Sequence, residues 1–93
     1  MAKKEIYDLE ERSVGCRNRF LNSLTDKPGA VFVTHYQPAD GGEGRIYHIS
    51  RCTVAVSTCV HGSPVSINGN PADIPRAVSK LERISGYKLK RHV

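Results

Sequence analysis

Residues 73–86, with the sequence DIPRAVSKLERISG, contain the clearest structural signal in the chain. Apolar side chains recur there at intervals of three and four, the period of a helix with one buried face. Asp73 is a typical N-cap residue, Pro75 is tolerated in a first helical turn, and Gly86 is typical of the position just past a helix end. The stretch therefore predicts an amphipathic helix over residues 74–85.

Four stretches rich in β-branched and aromatic residues precede this helix and predict strands. They cover residues 30–36, 45–49, 53–60 and 65–67, and turn-forming residues separate them. Such short connections favour an antiparallel meander in which consecutive strands are neighbours.

Residues 4–24 predict a first helix, because another stripe of intervals of three and four runs through them. This stripe comprises Ile6, Leu9, Ser13, Cys16, Phe20 and Leu24. Gly15 disfavours the helix by about 1 kcal/mol relative to Ala, so a break with Ser13 capping a second piece is an alternative. The order α-β-β-β-(β)-α predicts an α+β fold, a two-layer sandwich with an antiparallel sheet and both helices on one face.

The chain of 93 residues, 39% of them hydrophobic, fits one small domain over residues 1–93. The first residues are charged, no apolar run suits a secretory signal or a membrane span, and the three cysteines include no closely spaced pair. We therefore expect reduced thiols, a cytoplasmic protein and no membrane partner.

The positive charge is concentrated at the carboxyl end. The chain has 14 Lys and Arg against 9 Asp and Glu, a net charge of +5, and the whole excess lies in residues 76–93. A localised basic patch attracts polyanions, although cations also complement a helix C-terminus and support solubility. Three of the cations share a face of the predicted helix, and Tyr87 falls near their line if the helix continues. The predicted binding residues are Arg76, Lys80, Arg83, Tyr87, Lys88, Lys90 and Arg91.

Histidine and cysteine cluster at His48, Cys52, Cys59 and His61, but their spacing does not suit a structural zinc site. Strand alternation would place the first two on one face of the sheet and the last two on the other. A nucleophilic pair of Cys59 and His61 lacks an orienting acid nearby. We therefore expect no metal, no cofactor and no catalytic residue.

Residues 40–45, DGGEGR, could present backbone N–H groups to a phosphate. Two acidic residues oppose an anion there, and the Gly-Lys-Ser/Thr ending of a nucleotide-binding loop is missing. A flexible hairpin connection, exposed enough to act as a contact loop, is the favoured interpretation.

The predicted order of helix, three strands and helix resembles that of the double-stranded-RNA-binding domain. Asn22 after Leu21, Tyr36 and the long first hairpin loop contribute to this resemblance. That family begins its last helix with a Lys-rich cluster, whereas residues 70–75 read NPADIP, so the resemblance is one of topology only.

These observations lead to two hypotheses. The first is a non-enzymatic basic module that docks on nucleic acid or another polyanion through its carboxyl-terminal helix and tail. The alternative is a protein-binding adaptor or inhibitor that occludes a site on a larger protein. Its contacts would come from the glycine-rich residues 40–45, from the sheet face opposite the two helices and from the basic helix.

Overall fold

A computed structural model describes residues 2–10, 14–38, 42–58 and 64–92 of the protein. Within these ranges two helices and six strands follow one another along the chain. They are β1 Lys3–Leu9, α1 Val14–Ser23, β2 Val31–Tyr36, β3 Gly44–Ile49, β4 Cys52–Ser57, β5 Val65–Gly69, α2 Ile74–Ser85 and β6 Leu89–Arg91.

The strands form one antiparallel sheet in the order β2-β3-β4-β5-β1-β6. Its first four members are the predicted meander, and β1 and β6 extend it beyond β5. Both helices pack on one face, so the predicted α+β sandwich is confirmed. Side chains from both layers meet in one apolar core that includes Phe20, Val54, Val56, Ile67, Ile74 and Leu81.

The prediction of a helix over residues 4–24 is wrong in its first half, which is β1. This strand is hydrogen-bonded to β5 on one side and to β6 on the other, and Tyr7 and Leu9 face the helices. The few apolar residues of this segment fit a helical period or a strand period. Hydrogen-bond pairing on both sides decides in favour of the strand. Because the chain starts with a strand, its order also departs from that of the double-stranded-RNA-binding domain.

Helix α2 has the predicted bounds, but its first turn is built differently from the prediction. Asp73 makes no side-chain capping bond. Instead the Asn70 side-chain carbonyl accepts the N–H of Ala72 at 3.0 Å, and the Asn70 backbone carbonyl accepts the N–H of Asp73 at 2.8 Å. At the other end Gly86 takes the left-handed conformation and donates its N–H to the Glu82 carbonyl at 2.8 Å, as expected of a helix terminus.

The residues after α2 do not form a basic tail. They turn back as β6, in which Leu89 lies opposite Leu9 of β1. The N–H of Leu89 donates to the Glu82 carboxylate at 2.8 Å, and the N–H of His92 donates to the Ile6 carbonyl at 2.8 Å. The charged side chains of this segment therefore lie along a sheet edge.

One ion pair is buried between β1 and α1. The Arg17 side chain is only 1% exposed, and its Nη2 lies 3.7 Å from Oδ1 of Asp8. Its Nε and Nη1 atoms have no hydrogen-bond partner among the described residues. Asp8 Oδ1 also accepts the N–H of Leu9 at 2.9 Å, which fixes the carboxylate. The pair is the main electrostatic feature inside the fold.

The β3–β4 connection is a two-residue turn in which Ile49 and Cys52 are paired. Its central residues, Ser50 and Arg51, have φ values of 48° and 65°. Hairpins of this kind favour Asn-Gly because a side chain strains the left-handed conformation. Replacing a central residue of this turn by glycine would therefore relieve the strain.

We expect Arg51→Gly to raise the free energy of unfolding by about 1 kcal/mol, because relief of left-handed strain exceeds the added chain entropy of glycine. Urea unfolding followed by circular dichroism measures this change. Thr53→Gly, in the interior of β4, serves as the control and should destabilise the protein instead. A loss of stability in Arg51→Gly would contradict the assignment of strain to this turn.

Candidate nucleic-acid interface

Arg76, Lys80 and Arg83 of α2 line a cleft of about 430 Å³. Ser50 of the β3–β4 turn and Pro75 and Ser79 of α2 complete its wall. We call these six residues the basic cleft. Three of the seven predicted binding residues are therefore brought together by the fold.

The helix period explains this grouping. The three cations follow one another at intervals of four and three, on the side of α2 away from its buried residues Ile74, Ala77 and Leu81. Arg76 and Arg83 are exposed, whereas Lys80 is half-buried. One face of α2 thus packs on the sheet while the other presents charge to solvent.

Lys80 is positioned by the turn that precedes β2. A Cβ atom added to Gly29 would lie 2.5 Å from Cε of Lys80, so the lysine stem passes directly over this glycine. Gly29 has a φ of 89°, a conformation that side chains disfavour. The close approach of the lysine stem therefore requires glycine at position 29.

The cations of the cleft have no ion-pair partner among the described residues. No described carboxylate forms an ion pair with Arg76, Lys80 or Arg83, and no acidic residue lines the cleft. One further exposed cation, Arg51, follows Ser50 in the turn that lines the cleft. Sequence reasoning missed Ser50, Gly29 and Arg51, since only the tertiary fold brings their turns to α2.

Tyr87 does not continue the basic face. Helix α2 ends at Ser85 and Gly86 redirects the chain, so the helix does not continue and the condition for Tyr87 to fall near the line of the cations is not met. Its ring instead contacts Phe20 edge to face, with centroids 5.8 Å apart, and its N–H donates to the Ser85 hydroxyl at 3.1 Å. Tyr87 is a half-buried packing residue.

The other three predicted residues form a separate group at the β6 edge. Arg91 Nη2 lies 3.6 Å from Oε2 of Glu5, Lys90 is opposite Asp8 in the strand register, and Lys88 is exposed between α2 and β6. We call Lys88, Lys90 and Arg91 the edge cations. They lie on a different part of the surface from the basic cleft.

Glu5 supplies negative charge at the β6 edge. It accepts a 2.7 Å hydrogen bond from the Tyr7 hydroxyl, which lowers the pKa of the carboxyl group further than its partial burial raises it. Burial, followed by this hydrogen bond, raises the pKa of Tyr7 to about 12. The carboxylate is therefore ionised at neutral pH, and its Oε2 is shared by Arg91 and by Lys3, whose Nζ lies 3.4 Å away.

The histidine and cysteine residues do not converge within the described residues, which contain no group of three potential metal ligands. Cys52 is buried opposite Ile49, whereas His48 is exposed opposite Thr53, so the prediction that His48 and Cys52 share a face is wrong. Because the turn between the strands has only two residues, Cys52 is paired with Ile49 and not with His48. Burial, and then the charge of Asp73, raises the pKa of the Cys52 thiol. Cys59 and His61 lie outside the described residues.

The described part of the glycine-rich segment continues a hairpin. Glu43 accepts bonds from the Arg45 guanidinium at 2.9 and 3.1 Å. Its backbone carbonyl accepts the N–H of Thr58 at 2.9 Å, and its N–H donates to the Thr58 hydroxyl at 2.9 Å. These bonds extend the β3–β4 ladder by one pair. Gly44 also lies opposite Tyr36 of β2, so the segment joins two paired strands and the hairpin interpretation is favoured over a phosphate loop. Residues 39–41 lie outside the described part.

Comparison with known proteins finds no family model, no curated protein and no solved structure that matches the chain. In the described residues, no helix is long and apolar enough to cross a membrane.

Proposed function

We propose that the protein is a non-enzymatic nucleic-acid-binding module whose basic cleft contacts backbone phosphates. The observation that carries this proposal is the convergence on one concave surface of three cations that have no ion-pair partner among the described residues. Arginine forks match phosphate geometry, the lysine adds a point charge, and the hydroxyls of Ser50 and Ser79 are further donors.

The position of Arg76 favours this function over a purely stabilising role. Cations near a helix C-terminus complement its dipole, and Arg83 lies in the last turn of α2. Arg76 is in the first turn, where the dipole disfavours a cation by about 0.3–1 kcal/mol. Helix stability therefore does not explain Arg76, whereas an anionic ligand does.

Backbone contacts carry little sequence information, so binding should be weakly sequence-specific and strongly salt-dependent. Anisotropy titrations with labelled single- and double-stranded DNA and RNA at two salt concentrations test this proposal. We expect binding at low salt that weakens at high salt. Absence of binding to all four ligands at low salt would contradict it.

A capture experiment distinguishes this function from the alternative of a protein-binding adaptor or inhibitor. The tagged protein is incubated with lysate, with and without nuclease. Loss of the captured material after nuclease treatment supports direct binding of nucleic acid. A stoichiometric protein that survives the treatment supports the adaptor or inhibitor instead.

A further inference from the structure

Strand β2 forms one edge of the sheet and is largely uncovered. Only β3 pairs with it among the described residues, so its outer backbone groups face away from the sheet. Its apolar side chains are unusually open, with exposed fractions of 62% for Val31, 48% for Phe32 and 47% for Val33. Such an edge is a template for a further strand.

The two edges of the sheet differ in how they resist association. The other edge, β6, has three residues, two of which are Lys90 and Arg91, and charge on a short strand discourages edge pairing. Strand β2 has six residues, VFVTHY, and no Lys, Arg, Asp or Glu. Charged side chains therefore protect the β6 edge, whereas the β2 edge carries none and has instead a register shift between Phe32 and Thr34.

An irregularity in β2 decides which residues share a side of the sheet. Phe32 is opposite Tyr47 and His35 is opposite Arg45, with a register shift between Phe32 and Thr34. The shift places Phe32 and His35 on the side that bears the helices, and their rings are 5.0 Å apart. By the same register Val31, Thr34 and Tyr36 face the other side.

We propose that β2 pairs antiparallel with β2 of a second copy of this chain, about a two-fold axis between Val33 and Thr34. In this register Phe32 lies opposite His35 of the second copy, and Val31 lies opposite Tyr36. Both pairs join residues from the same side of the sheet, as antiparallel pairing requires. The two sheets become one continuous sheet.

A second copy suits this edge because the edge is self-complementary. It carries no charge that would oppose its own image, and an isologous contact needs one surface that fits itself. A cleft of about 400 Å³ adjoins β2 on the helix side, lined in part by Leu24, Ala30, Phe32 and Tyr47. In the proposed register aromatic side chains of the second copy lie beside this cleft and extend the Phe32–Tyr47 contact, whose centroids are 5.8 Å apart.

Association by this edge has the opposite salt dependence to nucleic-acid binding. Each chain has a net charge of +5, so two copies repel each other and added salt screens the repulsion. Salt therefore strengthens the dimer and weakens the binding of polyanions. The two proposals can fail separately.

Sedimentation equilibrium of the nucleic-acid-free protein, from low micromolar to near-millimolar concentration, measures the association. We expect a monomer–dimer equilibrium that shifts toward dimer at higher salt. Val33→Lys should weaken it at least about tenfold, since lysine on an edge opposes strand pairing. Thr53→Lys, an exposed position on the internal strand β4, adds the same charge and should leave the dimer constant within about twofold.

Hydrogen exchange locates the contact. Amides of β2 should become more protected as the dimer forms, while those of β6 should not. A monomer at every concentration, an equal effect of the two lysine variants, or a dimer that leaves β2 exchange unchanged would overturn the proposal. Specific capture of another protein's strand by a chain that stays monomeric would also overturn it.

Discussion

Replacing Arg76, Lys80 and Arg83 together by glutamine is expected to lower the affinity for nucleic acid by about 100-fold at low salt. Each side chain loses one charge-assisted contact with a phosphate, at a net cost of about 1 kcal/mol or more per contact. Glutamine is polar, uncharged and a good helix former, so α2 retains its helical propensity and its buried face. Anisotropy titration measures the change, and circular dichroism checks that the fold is intact.

The edge cations provide a matched control. Replacing Lys88, Lys90 and Arg91 by glutamine also lowers the net charge from +5 to +2, but it leaves the basic cleft unchanged. We expect this variant to lose less than about 10-fold, because the edge cations lie outside the basic cleft and salt screens their more distant attraction to the ligand. Equal losses in the two triple variants would show that net charge, and not the cleft, governs binding.

Asp8→Ala is expected to lower the free energy of unfolding by about 3–5 kcal/mol, a large part of the stability of a small domain. The substitution leaves the Arg17 guanidinium buried without its countercharge, and two of its nitrogen atoms already have no partner. Urea unfolding of the wild type and the variant measures the loss.

Two further variants test whether the loss of stability comes from the buried ion pair. Glu10→Ala removes an exposed carboxylate two residues away and should change stability by less than about 0.5 kcal/mol. Asp8→Ala combined with Arg17→Met removes both charges and should recover part of the loss, because an apolar pair avoids the desolvation penalty. A loss below about 1 kcal/mol in Asp8→Ala would contradict a dominant role for the buried pair.

Strands β2 to β5 and helix α2 could be predicted from the sequence because their signals are local. Turn residues separate the strands, and Pro75 and Gly86 mark the two ends of α2. Strand β1 was missed because Ile6 and Leu9 also fit a helical spacing and its strand state depends on pairing with β5 and β6. Strand β6 is too short and too basic to carry a strand pattern of its own.

The candidate site also has a part that follows from local sequence and a part that depends on the tertiary fold. A regular helix fixes the relation of Arg76, Lys80 and Arg83, so their common face follows from the sequence. Beyond Gly86 the helical period no longer applies, and Tyr87 and the edge cations leave that face. The second wall of the cleft comes from Ser50, and the Lys80 stem lies against Gly29. Both contacts depend on how two distant turns meet α2.

The slope of log affinity against log salt concentration tests the proposed function most directly. Three phosphate contacts predict a slope of about −2.7 or steeper on duplex DNA. Each single change, Arg76→Gln, Lys80→Gln or Arg83→Gln, should make the slope shallower by about 0.9, while Lys90→Gln should leave it unchanged. Slopes that are the same in the wild type and all three cleft variants would contradict phosphate binding by the basic cleft.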